Sequence, residues 1–172
     1  MRGAAQPRIL TRSDLPRALV LWRQLLDAGF EADPRFAAVA DPVRAIASYA
    51  DDVWLRQTPF PHGWVVEDPV GLAGLLVIVH QPALPVLVDK PSALITDLFV
   101  APRARRRGTG RRLVSAACDA AARAGHGNIE VGTLSADTRA VAFWQAVGFA
   151  RFRVTLQRHH QPPTVTPPPT SS

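Results

Sequence analysis

Apolar positions along this chain recur first with a helical period and later with a strand period. After Asp14 they fall at Leu19, Leu21, Trp22, Leu25 and Leu26, which form one face of a helix. Ser13 or Asp14 can cap that helix, Pro16 suits its first turn, and Gly29 is the expected stop. A second helix is predicted over roughly Pro42–Arg56, with Val43, Ile46, Ala47, Ala50 and Trp54 on one side. Pro59, Pro61 and Gly63 then break the chain. Arg8–Thr11 reads as a short strand, and Trp64–Glu67 and Gly71–Val79 as two antiparallel strands joined through Asp68-Pro69. Gln81–Pro91, with three prolines, reads as a loop or irregular edge. Ala93–Val100 follows as a central strand, Thr109–Ala124 as a helix ended by Gly125, and Asn128–Thr133 as another strand. Asp137–Val147 is the last predicted helix and Phe152–Leu156 the last predicted strand.

The β-β-β-α-β-α-β order from Trp64 onward predicts an α/β (α+β) fold, a mixed sheet covered by helices. The ending QPPTVTPPPTSS has nothing to bury and reads as a disordered tail, 159–172, after a single domain of residues 1–158. At 172 residues and 47% hydrophobic composition, that domain has a real core. The net charge of +6 comes almost wholly from arginine, since Lys90 is the only lysine. With abundant Ala and Pro, that balance points to a coding bias before it points to a binding surface. The single Cys118 excludes an intramolecular disulfide, suits a reducing cytoplasm, and reads as a small core residue on a helix. Met1–Pro7 lacks the apolar centre of a signal peptide, and the longest apolar run, Val70–Val79, is too short to span a bilayer. A cytoplasmic protein with no membrane partner is expected.

The segment Ala93–Gly110, ALITDLFVAPRARRRGTG, changes the picture most. An apolar strand runs into arginines and then into Gly108-Thr109-Gly110 at the start of a helix. Glycines without Cβ atoms let backbone amides turn toward a ligand, and the helix adds its unpaired N–H groups and dipole. Such a construction binds phosphate. No Gly-Lys-Ser/Thr follows, so it is not a Walker loop, and the third glycine of the dinucleotide fingerprint is missing. The six arginines between Arg103 and Arg112 also admit a solvated face or a nucleic-acid patch. The patch lacks interleaved aromatics for stacking, and a solvated face would not need the glycines. No nucleic-acid partner is expected.

Arg105-x-x-Gly108-x-Gly110 after a strand ending Asp97-Leu98-Phe99-Val100 resembles the GNAT superfamily of acyl-CoA-dependent N-acyltransferases. A second segment, from Asp137 through Ala140, Phe143 and Trp144 to Gly148-Phe149, is similar to that family's N-x-x-A-x-x-F-Y-x-x-x-G-F. The resemblance covers Trp64–Leu156, just over half the chain. It implies a mostly antiparallel sheet splayed between its fourth and fifth strands, with acetyl-CoA as co-substrate. Main-chain groups of Leu98, Phe99 and Val100 would pair with pantetheine. Arg105, Arg106, Arg107, Gly108, Thr109, Gly110 and Arg111 would cradle the phosphates, with Asp137 and Phe143 completing the cofactor set. Asp137 stands where the family commonly has asparagine, and it reads either as an N-cap or as a direct cofactor contact.

Transfer from a thioester to an amine needs a base, a polarised carbonyl and help for the leaving thiolate. The family's usual proton donor is a tyrosine, and here that position is Trp144, whose indole donates a hydrogen bond but no proton. Trp144 either fills space or orients the reactants. A backbone N–H within Asp97–Val100 is the donor the resemblance implies for the carbonyl. Asp97 is acidic inside an apolar strand and so needs a reason. It reads equally as the base or as a structural carboxylate, and Glu130 is a second candidate base. His80, at a strand end, has a suitable ordinary pKa, though such histidines are commonly structural. His62 is weaker, and no metal site is expected from scattered histidines and one cysteine. The acceptor is expected to be an amine of a small molecule or a peptide N-terminus. Part of Phe30–Phe36 could line its cleft, and positive charge mildly disfavours a polycation such as a polyamine. A non-catalytic acyl-CoA-binding module is the alternative, and a homodimer is compatible with either.

Overall fold

The structure, a computed structural model, describes residues 5–32, 41–82 and 91–156. The apolar run near its middle becomes the strand around which everything packs. Five strands, β1 (Arg8–Ile9), β2 (Gly63–Asp68), β3 (Gly71–Gln81), β4 (Ser92–Val100) and β5 (Asn128–Val131), form one sheet in sequence order. All neighbours are antiparallel except β4 and β5, which are parallel. Both faces of β3 are covered: Leu72, Leu75 and Val77 join one buried cluster, and Leu76 and Ile78 join the other. A strand buried on both sides has no polar face to alternate with, hence the unbroken apolar sequence.

Helices α1 (Leu15–Ala32) and α2 (Pro42–Tyr49) lie on the first face. Ala18 and Leu21 are buried there, with Leu19, Trp22 and Leu25 half-buried around them. The chain enters α1 through a single turn of 3-10 helix, Arg12–Asp14, in which the Asp14 carboxylate reaches back to the Thr11 backbone N–H at 3.0 Å. Asp14 is thus spent on the preceding turn and on arginines. Gly29 does not end α1, as its backbone stays right-handed and the helix continues to Ala32. After Tyr49, α2 widens into a π-helical turn over Ala50–Trp54, close to the predicted extent.

On the other face lie α3 (Thr109–Arg123) and α4 (Thr138–Ala146). Leu113, Val114, Ala117, Ala120 and Ala121 face the sheet, and the small residues let α3 sit close. A Cβ on Gly74 of β3 would stand 2.9 Å from Leu113 Cδ1 and 3.3 Å from Thr109 Cγ2, so glycine is what admits the first turn of α3 at the end of β4. Gly125, at φ +85°, stops α3, and Gly148, at φ +99°, follows α4.

One expected element is absent. Phe152–Leu156 is not a strand; its backbone joins no ladder, and Phe152, Val154 and Leu156 are 80%, 78% and 91% exposed. Alternation alone does not hold a strand whose N–H and C=O groups have no neighbour. The predicted loop Gln81–Pro91, the acceptor segment Phe30–Phe36 and the tail fall largely outside the described residues. Among the described residues, no helix is long and apolar enough to cross a membrane.

Candidate active site

Strand β4 carries the site, and one irregularity in it decides where its side chains go. Against β3, Val77 pairs with Asp97 but Ile78 pairs with Ile95, which leaves Thr96 as an extra residue. This bulge shifts the alternation by one. Ala93 and Ile95 therefore pack with the α3 side, whereas Phe99 packs with the α1 side. Asp97 turns with Phe99 and meets α1, where Trp22 Nε1 donates to its Oδ1 at 3.0 Å. Thr96 Oγ1 donates to Oδ2 at 2.7 Å. Burial pushes the Asp97 carboxyl above its ordinary value, and the hydrogen bonds from Thr96 and then Trp22 pull the other way. Tyr49, at the end of α2, is itself pushed up, first by burial and then by the negative charge of Asp97.

On its other edge β4 pairs with β5 only over Ser92–Ile95, against Asn128–Val131. β5 ends at Val131, opposite Ile95, so among the described residues Thr96–Val100 has no strand on that side; the pair stops short where a splay was expected. That edge of β4 is open at Leu98 and Val100, whereas Phe99 and Ala101 turn their main-chain groups to β3, and the Val100 carbonyl accepts from Arg105.

The slot ends at the arginine loop. Arg106 and Gly108 are both left-handed, at φ 61° and 75°, and Gly108 precedes the first turn of α3. Thr109 is buried and its hydroxyl donates to Ala104 O at 3.1 Å, which ties the loop down. A Cβ on Gly110 would stand 3.2 Å from Phe143 Cζ and 3.6 Å from Val100 Cγ2, so Gly110, Val100 and Phe143 meet at the floor of the slot. Four arginines here have structural partners. Arg103 bonds Asp68 and Leu72 O, and Arg111 bonds Ala146 O. Arg112 reaches Ala5 O, Arg107 O and Thr109 Oγ1. Arg105 donates to Val100 O at 2.9 Å while lying over the Phe99 ring. The side chains of Arg106 and Arg107 are exposed and make no hydrogen bond among the described residues. They leave the loop with exposed positive charge beside the backbone N–H groups that open α3.

The remaining candidates separate. Asp137 caps α4, its Oδ1 accepting from Ala140 N at 2.9 Å. Trp144 is 8% exposed, set edge-on between Phe143 and Phe149 at 5.1 and 5.2 Å, within the α3-side cluster. Glu130 pairs with Leu94, before the bulge, and its Oε2 lies 3.5 Å from Arg153 Nη2. His80 stands across from Ala93, at the far end of the ladder from the arginine loop. Its Nδ1 is 2.8 Å from His126 Nε2. His62 is buried with Nδ1 at 3.0 Å from Val53 O. Burial raises the Cys118 thiol to about 11, which suits a core residue and not a nucleophile. Among the described residues no group of histidine, cysteine and acidic side chains could hold a metal.

Sequence reading missed Trp22 as a partner of Asp97, placing it on the apolar face of the first helix. The signal was the polar pair Thr96-Asp97 inside an apolar strand, a pattern that a straight ladder with both faces buried would not tolerate.

A parallel pair that stops short beside a glycine-opened helix is the framework on which the comparisons bear. The sequence matches the acetyltransferase (GNAT) family over residues 21–149. The chain belongs to that family, and acetyl-CoA is its co-substrate. No curated protein matches it. Among solved structures it is similar to a tetramutant of the BH1408 protein from Bacillus halodurans, with 19% identity, 90% of this chain and 99% of that one covered, and a TM-score of 0.75. It is also similar to the aminoglycoside N-acetyltransferase AAC(6')-Iy solved with CoA, at 19% identity, 93% and 98% coverage and a TM-score of 0.69. A transcriptional regulator from Bacillus halodurans C-125 is similar too, at 20% identity, 91% and 99% coverage and a TM-score of 0.65. At such identities these likenesses speak for the fold. The residues present fit acetyl-CoA: Gly108 is left-handed, and a Cβ on Gly110 would press on the Phe143 ring at 3.2 Å, so both glycines suit a backbone that opens the helix toward a ligand.

Proposed function

We propose that the chain is an acetyl-CoA-dependent N-acetyltransferase that moves the acetyl group directly to a primary amine of a small molecule or a peptide N-terminus. Asp97 is the general base in this reading. The observation that carries it is the bulge at Thr96, which turns a half-buried carboxylate onto the α1 side of the strand whose edge is open. Acetyl-CoA supplies an activated thioester when bound. Main-chain groups of Leu98 and the Val100 N–H, on the open edge of β4, align its arm, and the amides after Gly108, with Arg106 and Arg107, hold its phosphates. One backbone N–H of β4 polarises the carbonyl. Asp97 takes one proton from the acceptor ammonium, directly or through water, and passes it to solvent. The free amine then attacks, the N–C bond forms as the C–S bond breaks, the nitrogen's second proton goes to the departing thiolate, and amide and thiol leave.

Burial of Asp97 favours this role, because a base works best when its pKa lies nearer the working pH than a free carboxylate's does. Asp137 serves α4 as its cap. The aminoglycoside acetyltransferase among the structural neighbours makes amino sugars the first acceptors to try. A non-catalytic acyl-CoA-binding module is the second reading, favoured by Trp144, which is packed among Phe143 and Phe149 where the family's tyrosine would stand.

The test is thiol release from acetyl-CoA against an amine panel of amino sugars, amino acids, polyamines and short peptides, beside calorimetric titration of acetyl-CoA. Release with one amine class, lost in Asp97→Asn, supports the enzyme. Tight binding with no release across the panel supports the second reading. No binding of acetyl-CoA removes both.

A further inference from the structure

The carboxylate of Asp97 is held at both ends by donors from different elements. Trp22, on α1, gives its indole N–H to Oδ1 at 3.0 Å, and Thr96, the bulge residue itself, gives its hydroxyl to Oδ2 at 2.7 Å. Trp22 is half-buried, and its ring lies at a 56° tilt, 6.5 Å from the fully buried Trp54. That contact fixes the ring, so the N–H has one direction. Each carboxylate oxygen accepts two hydrogen bonds, so one donor on each leaves one lone pair per oxygen for a proton or an amine. The groups facing Asp97 are few. Trp22 on α1 and Val77 across the ladder on β3 do not titrate, and Tyr49 at the end of α2 does, with Arg56 acting on Tyr49 in turn.

We propose that Trp22 and Thr96 are positioning residues for Asp97: one donor clamps each carboxylate oxygen, fixing the plane of the group and keeping it ionised while it is half-buried. The proposal rests on Asp97 as the base for its catalytic consequence, though the clamp itself does not. Thr96 accordingly has two tasks. Its backbone makes the bulge that turns Asp97 to the acceptor side, and its hydroxyl holds Asp97 once turned. Trp22 ties the same carboxylate to α1, so a displacement of that helix moves the base.

The test reads the carboxylate directly. In protein labelled with ¹³C at aspartate side-chain carboxyls, the Asp97 signal is assigned by its loss in Asp97→Asn and titrated in wild type, Trp22→Phe, Thr96→Val and Thr96→Ser. Removing one charge-assisted donor should raise the titration midpoint by about one pH unit in Trp22→Phe and in Thr96→Val. Thr96→Ser, which keeps the hydroxyl, should titrate as wild type. Thr96 is exposed, so its variants keep the experiment decisive if Trp22→Phe fails to fold. Unchanged midpoints in the folded variants would overturn the clamp. With an acceptor in hand, Thr96→Val should lower kcat about ten-fold, leave the KM for acetyl-CoA unchanged, and move the acid limb of the rate profile upward with the carboxyl midpoint. If Asp97→Asn keeps full activity, the base reading fails while the carboxyl titration still judges the clamp.

Discussion

Replacing Asp14 by asparagine should loosen the joint between α1 and the sheet, and the size of the effect follows from what that carboxylate holds. Asp14 is 1% exposed. It accepts from Arg8 Nη1 at 2.6 Å and Nη2 at 2.9 Å, and from Arg17 Nη2 at 2.9 Å. The Thr11 backbone N–H and hydroxyl complete its shell at 3.0 and 2.8 Å. Losing one member of a buried ion pair costs about 3–5 kcal/mol when the other is stranded. Here Arg8 and Arg17 are 40% and 48% exposed and both keep Glu67, so water and that second carboxylate recover part of the loss. A destabilisation of about 2–3 kcal/mol is expected near neutral pH, which lowers Tm by about 4–12 °C for a domain of this length. Urea unfolding of wild type and Asp14→Asn as a function of pH is the assay. Arg8 holds the carboxyl well below its ordinary value of 3.8. A depressed carboxyl stabilises the fold above the unfolded pKa, and that contribution is lost as pH falls through the folded one. The gap between the two proteins should therefore be flat above about pH 5 and shrink below about pH 4. A gap under about 0.5 kcal/mol, the level of an ordinary surface change, would refute the argument.

Three further outcomes follow from the same geometry. Gly108→Ala puts a side chain on a left-handed residue at a cost of about 1–2 kcal/mol. A free loop that relaxes to escape it incurs that cost again on binding, so acetyl-CoA affinity by calorimetry should fall about ten-fold, and an unchanged Kd would count against the amide cradle. Trp144→Tyr should keep or raise turnover by supplying a phenol where the indole gives no proton, whereas a collapse of turnover would assign the indole an orienting role. His62 and His126 are buried and held below their ordinary value of 6.5, chiefly by loss of solvent, so the unfolded chain binds protons first as pH drops. Stability should fall by about 1–2 kcal/mol between pH 7 and 5, and His62→Phe should flatten that slope; an equally steep slope would place the protons elsewhere.

Periodicity made most of the fold legible. Helices and strands lie where apolar spacing put them, because one face of each meets the same sheet. It failed at Phe152–Leu156, whose alternation is real but has no ladder to join, and at Gly29, which a packed helix tolerates. The glycine-opened, arginine-rich turn before α3 was legible because glycine and arginine say something about backbone and charge without tertiary context. Which arginines stay free was not. Arg103, Arg111 and Arg112 find carbonyls and a carboxylate on segments distant in sequence, and only folding reveals such partners. Asp97 announced itself by being polar in an apolar strand. Its direction depended on a single surplus residue, which no count of spacing resolves.

The near absence of lysine has an outcome for enzymology. Every cation around the loop from Arg103 to Arg112 is a guanidinium, which stays charged throughout the range in which proteins are assayed. A lysine cradle would discharge in alkali and draw the binding curve down with it. With guanidinium groups in that place, as proposed, hold on acetyl-CoA should be level above the titration of the ligand's own phosphate, from about pH 7 to 11. Whatever bends the rate profile in that interval then belongs to the acceptor amine and the groups beside it, and the alkaline limb can be read as a signature of the unknown substrate.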